Sequence, residues 1–226
     1  MILRNGNEAF FCFLAYKLFY HVKDKKRSAF YNVSMSKNKQ ISDRQIKIIL
    51  DLLAESLELD GDVVEFGCYE GDTSVKMGKL IRNKKLWLYD SFEGLPEKSD
   101  ADFSSIGESF KAGELKASKS AVMKRFLHAS LPKPVIKKAW FDELNPGQDL
   151  PEKIAFALLD GDYYESIKIS LHLVTPKMTK EGIIIVHDYR NEALPGAAKA
   201  VDEFISKNPT WRIRIQQGLA IIQQGK

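Results

Sequence analysis

Cysteine is scarce in this chain of 226 residues: Cys12 and Cys68 are the only two. Neither has a CxxC partner or a zinc-ligand spacing. That excludes a disulfide framework and a structural zinc centre, and it points to a reducing, cytoplasmic setting. Internal repeats and low-complexity tracts are absent too. Charge of one sign is not in excess: 34 basic residues stand against 30 acidic ones, for a net charge of +4. No stripe of Lys and Arg is interleaved with aromatics, so no nucleic-acid partner is expected. Long hydrophobic runs are also missing. The most apolar stretch, Phe10 to Val22, falls short of the roughly 20 residues a membrane-spanning helix needs, and Lys17 and His21 interrupt it. No small-residue cleavage site follows it, which argues against a signal peptide.

What is present is ordinary for one globular domain: 44% hydrophobic and 28% charged residues, in a chain long enough to bury a sizeable core. The apolar segment Phe10–Val22 is followed by Lys23, Lys25, Lys26 and Arg27. Residues 1–41 are therefore expected to form a helical extension. It either packs on the domain or on a second copy in a homo-oligomer, or lies peripherally on an anionic membrane surface.

From Ser42 or Asp43 a helical pattern runs through Ile46, Ile49, Leu53 and Leu57, with Gly61 ending it. Short continuous apolar runs follow at Val63–Phe66, Leu86–Tyr89, Val135–Trp140, Ile154–Leu159 and Gly182–Val186. Such runs suit parallel strands covered on both faces. Helical patterns separate them, near Thr73–Ile81, Ser120–Ala129, Tyr164–Val174 and Gly196–Lys207. Strands alternating with helices imply βαβ units. The tail differs: Trp211–Ile215 alternates with period two, Gln217-Gly218 is turn-like, and Leu219–Ile222 reads as a partner strand. The expected fold is α/β, a single doubly wound, Rossmann-like domain over residues 42–226. Its mostly parallel seven-stranded sheet ends in an antiparallel hairpin, as in class I methyltransferases. The long irregular stretch of about residues 91–119 follows a strand end, where ligands of open α/β sheets bind, and reads as a lid.

Four motifs carry the chemistry. The first is Val63-Val64-Glu65-Phe66-Gly67-Cys68-Tyr69-Glu70-Gly71-Asp72-Thr73-Ser74, a strand running through a glycine turn into a helix. Gly67 and Gly71 permit sharp bending and close approach of a ligand. The helix start at Thr73 and Ser74 offers N–H groups to a carboxylate, and Glu65 can accept from an ammonium group. Tyr69 stands where a dinucleotide fingerprint needs glycine, which turns the reading from NAD towards S-adenosylmethionine (SAM). The second motif ends in Asp90-Ser91-Phe92, with an acid suited to ribose hydroxyls at a strand end. The third and fourth are Asp160-Gly161-Asp162-Tyr163 and His187-Asp188-Tyr189, each just after a buried strand. Because those strands are neighbours in this fold, Asp160, His187 and Asp188 are expected to converge on a divalent metal, with Asp162 nearby. Carboxylates suit Mg²⁺, and the imidazole moves the preference towards Mn²⁺. Trp140 either stacks on an adenine or is a core tryptophan. His128 and His172 are read as surface or packing residues.

Together these residues resemble the macrocin O-methyltransferase family, which methylates sugar hydroxyls of macrolides. The similarity runs from about Ser42 onwards. It is carried by the glycine turn, Asp90-Ser91-Phe92-Glu93-Gly94-Leu95-Pro96, Trp140-Phe141, Asp160-Gly161-Asp162-Tyr163-Tyr164-Glu165-Ser166 and His187-Asp188-Tyr189. The resemblance implies SAM as methyl donor and a Mg²⁺-dependent transfer to a hydroxyl, with metal ligands Asp160, His187 and Asp188. The family usually has two acids at the pair where this chain has His187-Asp188. The expected activity is O-methylation of a sugar or of a sugar-containing small molecule. SAM would lie across Glu65, Gly67, Tyr69, Gly71, Thr73, Ser74, Asp90, Ser91, Phe92, Trp140 and Asp160, and Asp162 or His187 would be the general base. Two competing readings are a metal-independent small-molecule methyltransferase and a non-catalytic interaction module on the same fold.

Overall fold

The computed structural model describes residues 41–106 and 110–225. The expectations placed on Phe10–Val22 and the basic cluster after it lie outside the described residues. So does most of the segment expected to form a helical extension.

The first helix, α1 (Asp43–Glu55), starts with a capping box in which Ser42 accepts from the Gln45 amide and the Gln45 side chain accepts from the Ser42 amide. Two orphan donors of the first turn are met in this way. The helix stops at Glu55, where Ser56 closes the last turn through its amide and hydroxyl. It therefore ends well before Gly61, which serves instead to let the chain pass Lys153 and Ala155 at a positive φ.

Alternating units follow: β1 (Asp62–Phe66), α2 (Asp72–Gly78), β2 (Leu86–Asp90), α3 (Lys119–His128), β3 (Val135–Lys138), β4 (Ile154–Leu159), α4 (Tyr164–Val174), β5 (Met178–Val186), α5 (Pro195–Lys207), β6 (Trp211–Gln216) and β7 (Leu219–Gln224). The strands form one seven-stranded sheet in the order β3-β2-β1-β4-β5-β7-β6. β1 to β5 are parallel, and β7 runs antiparallel to both β5 and β6. The doubly wound sheet with its terminal hairpin is the one the apolar runs predict. β3 is shorter than the run Val135–Trp140, because Trp140 already opens the short 3-10 turn Phe141–Glu143.

Side chains alternate along each strand, so each face of the sheet buries its own core. Val63, Leu88, Phe156, Leu158 and Ile185 pack with α1, α2 and α3 on one face. Val64, Phe66, Ala157, Leu159 and Ile184 pack with α4 and α5 on the other. All six residues of β4 are buried, which explains why its sequence is an unbroken apolar run.

The strand order reverses between β1 and β4, and their carboxyl ends lie level there. Phe66 pairs with Tyr89 and with Leu159, and Leu159 pairs with Val186. Gly67, Asp90, Asp160 and His187 therefore leave the sheet side by side at its ligand-binding edge. Among the described residues no helix is long and apolar enough to cross a membrane.

Candidate active site

The turn after β1 is built on backbone conformations that few residues tolerate. Gly67 has φ +83°, and a Cβ there would lie 2.0 Å from the carbonyl oxygen of Asp160. Gly71, also at φ +83°, caps α2 without any side-chain hydrogen bond, so the first amides of α2 keep no side-chain partner. Between them, Cys68 and Tyr69 donate their amides to one carboxylate oxygen of Asp90, at 2.9 and 2.8 Å, while Phe92 donates its amide to the other at 2.7 Å. Asp90 thus joins the turn after β1 to the start of the stretch after β2. Three backbone amides thus hold this carboxylate, and the Cys68 thiol lies within hydrogen-bonding reach of it as well. Burial raises the pKa of Asp90, opposed by these amides.

Glu65 lies at the buried end of β1 and accepts from the Ser74 hydroxyl. Ser74 thus faces Glu65, while Thr73 beside it is half-buried. Arg125 of α3 bridges Glu70 and Asp72, fixing the outside of the turn. Burial pushes Glu65 up to about 8, against the Ser74 hydrogen bond, and the charges of Asp160 and Asp90 add to the rise. The stability that the neutral acid contributes is complete below the unfolded value of 4.5 and is lost as pH rises through about 8. Glu65→Gln is therefore expected to raise the melting temperature at pH 9 by roughly 5 °C and to leave it nearly unchanged at pH 4. Calorimetric scans at the two pH values check this.

Beyond Asp90, Ser91 is buried and its hydroxyl closes the next turn, accepting from the Glu93 amide and reaching the Gly94 carbonyl. Phe92, at φ +56°, joins the apolar cluster that holds Val122 and Phe126. Trp140 is half-buried at the end of β3 and is outside the apolar core clusters, so it is not a core tryptophan. His128 and His172 are exposed, as expected.

On the other side of the reversal point, Asp160, His187 and Asp188 converge, with one ligand atom from each within 4.8 Å of the others. His187 Nδ1 lies 2.9 Å from Asp160 Oδ1 and 2.7 Å from Asp188 Oδ2. Burial alone lowers the pKa of this imidazole, but the charges and hydrogen bonds of Asp160 and Asp188 outweigh it and hold His187 at about 11. Its Nε2 is buried without a hydrogen-bond partner among the described residues. Asn191 donates to Asp188 Oδ1 at 2.9 Å, which orients that carboxylate. Asp162 adopts φ +62° in a three-residue turn closed by the Tyr163 amide on the Gly161 carbonyl at 2.7 Å, a rare and strained turn. Desolvation raises the Asp162 pKa well above the carboxylate range, and the charges of Asp160 and Asp188 push the same way.

Three further residues support this arrangement from outside the four motifs. Asn191 and Arg125 act through other residues and carry no motif of their own. Asp102 sits in the irregular stretch, where Ser99-x-x-Asp102 has the spacing of a cap.

The family model for macrocin-O-methyltransferases matches residues 24–215. This chain belongs to that family. The match begins upstream of Ser42 and includes every residue of the site. Among curated proteins, the chain is similar to the 8-demethyl-8-(2,3-dimethoxy-alpha-L-rhamnosyl)-tetracenomycin-C 4'-O-methyltransferase of Streptomyces olivaceus, 30% identical over 59% of this chain. It is also similar to the demethyldecarbamoylnovobiocin O-methyltransferase of Streptomyces niveus, 28% identical over 65%, and to the mycinamicin III 3''-O-methyltransferase of Micromonospora griseorubida, 27% identical over 64%. The chain spans 54%, 59% and 60% of the lengths of these three relatives. Among solved structures, the O-methyltransferase NovP superposes with TM-score 0.72 at 24% identity, covering 83% of this chain and 82% of NovP. The calicheamicin methyltransferase CalS11 gives 0.67 at 18%, covering 100% and 95%. The fold is that of class I methyltransferases.

Proposed function

We propose that this macrocin-O-methyltransferase family member transfers the methyl group of SAM to a hydroxyl of a sugar or of a sugar-bearing small molecule, in the cytoplasm. The observation that carries this reading is the meeting of two half-sites at one sheet edge. The Gly67 turn with Asp90 faces the cluster of Asp160, Asp162, His187 and Asp188. The first half suits the donor. Asp90 at the end of β2 suits a ribose hydroxyl, the start of α2 suits a carboxylate, and Glu65 is at hand for the ammonium group. Gly67, Tyr69, Gly71, Thr73, Ser74, Ser91, Phe92 and Trp140 would line this half. The methyl group of a sulfonium is already a strong electrophile, so the protein must position and deprotonate the acceptor.

The second half suits that task. Asp160, His187 and Asp188 offer an O, N, O donor set, with Asp188 oriented by Asn191 as metal-binding carboxylates commonly are. They would hold Mg²⁺ or Mn²⁺, which when bound lowers the pKa of a coordinated hydroxyl. Asp162, held with a raised pKa beside these acids, is the proposed general base; His187, the other candidate, is held protonated by Asp160 and Asp188 and does not suit that role.

The deciding experiment is calorimetric titration of SAM in buffer with Mg²⁺ and again with EDTA. It is followed by an acceptor screen over rhamnosylated and other glycosylated compounds. SAM binding is expected in both buffers; no binding in either sinks the proposal and leaves the non-catalytic alternative. SAM affinity is further expected to rise as pH rises to about 8, because Glu65 must lose its proton to receive an ammonium group.

One observation favours a metal-independent version. His187 already stands as a cation between Asp160 and Asp188, where the ion would sit. Turnover that survives EDTA supports that version. If the metal is used, Mn²⁺ is expected to bind at least about tenfold tighter than Mg²⁺, and His187→Asp is expected to narrow the gap. Titration of both ions into both proteins checks it.

A further inference from the structure

We propose that Asp102 is a positioning residue: its carboxylate locks the stretch between β2 and α3 onto the loop that carries Asp160 and Asp162.

Within the run Ser99-Asp100-Ala101-Asp102, Asp100 is exposed but Asp102 is only 1% exposed. A carboxylate taken out of water in a surface insertion must be fully hydrogen-bonded or it destabilises the chain. Asp102 meets that condition in two directions. Its Oδ2 accepts from the Ser99 amide at 3.0 Å and from the Ser99 hydroxyl at 2.6 Å, within its own segment. Its Oδ1 accepts from the amide of Tyr164 at 2.7 Å, the first residue of α4, where a helix favours an anion. Helix α5 closes the far side. A Cβ on Gly196 would lie 1.8 Å from Asp102 Oδ1 and 2.8 Å from the Tyr164 amide nitrogen. The carboxylate therefore occupies a slot between the starts of two helices, and only glycine at 196 leaves room for it.

The Tyr164 amide lies two residues beyond Asp162, directly after the strained turn. Upstream that turn is anchored by the Asp160 amide on the Phe66 carbonyl at 2.8 Å. Downstream it is anchored by Asp102. A left-handed conformation at Asp162 persists only where its surroundings impose it, and Asp102 is one of the anchors that do. The same insertion is tied to the second acid-bearing loop, since the Ser104 hydroxyl donates to the Glu192 carbonyl at 2.6 Å, next to Asn191. Tyr163 adds a third tie, donating its hydroxyl to the Phe110 carbonyl at 3.1 Å and packing with Leu95 and Leu194. Order in the insertion and the placement of Asp162 are thus coupled through one buried carboxylate.

The test needs no acceptor. Wild type, Asp102→Ala and Asp102→Asn are compared by hydrogen exchange, by calorimetric melting, and by the far-downfield proton resonance of the hydrogen-bonded His187 imidazole, assigned by its loss in His187→Asn. Asp102→Ala is expected to speed exchange at 95–104 and at the Tyr164 amide by at least about tenfold, as in a local opening. β4 and β5 stay protected and the His187 resonance shifts or broadens. Asp102→Asn keeps an oxygen for the Tyr164 amide but turns an NH2 towards Ser99. It is expected to show the same changes at reduced size, and it is the variant read if Asp102→Ala yields little folded protein. Faster exchange throughout the sheet with a lowered melting temperature would mean that Asp102 only stabilises the fold. Local opening with an unmoved His187 resonance would mean that it ties down the insertion without positioning the acids. Either result overturns the proposal, as does unchanged exchange.

Discussion

Asp162→Asn is expected to lower kcat by about 10²- to 10⁴-fold, the usual span for loss of a general base. SAM affinity should change by less than about twofold, a few tenths of a kcal/mol, because the proposed role of Asp162 is on the acceptor and not on the donor. Asn keeps the size and the tolerance of φ +62°, so the turn at 161–163 should survive and the loss should be chemical. Desolvation and the charges of Asp160 and Asp188 hold the Asp162 pKa well above the carboxylate range. A base must be ionised to act, so the wild-type rate should fall as pH drops through that raised value. In Asp162→Asn this acidic limb should vanish. Initial rates against pH, with an acceptor found in the screen and SAM saturating, provide the check. An unchanged kcat would remove Asp162 from the role of base.

Gly67→Ala is expected to have the largest effect on stability. The added Cβ would meet the Asp160 carbonyl at 2.0 Å and the Asp160 carbonyl carbon at 2.8 Å. Both are backbone atoms of the adjacent central strand end, so no side chain can swing aside. The positive φ adds a further cost of roughly 1–2 kcal/mol for any residue with a Cβ. Together they should destabilise by at least about 3 kcal/mol, a fall in melting temperature on the order of 10 °C for a domain of this size. Whatever folds should also bind SAM weakly, since the strand ends must part. Gly71→Ala makes a contrasting case, because its Cβ would meet the Val122 side chain at 3.0 Å, and a side chain can yield. A Gly67→Ala protein that melts like wild type would refute the close approach of β1 and β4.

Much of this was legible in the residues themselves. Continuous apolar runs and helical spacings betray βαβ units, because a parallel strand must be apolar on both faces. The limits of β4 and α4 coincide with those runs, since Gly161 and the short polar loop punctuate them sharply. The convergence of Asp160, His187 and Asp188 was also legible, because parallel neighbours in register deliver their following residues to the same place. Helix ends were less legible: the apolar pattern of α1 runs on to Leu57 while the helix ends at Glu55, capped by the Ser56 hydroxyl.

What the chain alone determined is the class of fold, the edge at which the candidate site stands and the three ligand-type residues that meet there, because periodicity and strand-end position are local properties. Tertiary structure decided the rest. It decided that Ser74 serves Glu65, that Asp90 accepts from three backbone amides, and that His187 Nδ1 lies between two carboxylates. It decided as well that Asp102, one acid among many in a polar stretch, is buried against Tyr164 and Gly196. Which donor meets which acceptor, and how far burial shifts a proton, depend on groups many residues away in sequence that only the packed chain brings within 3 Å.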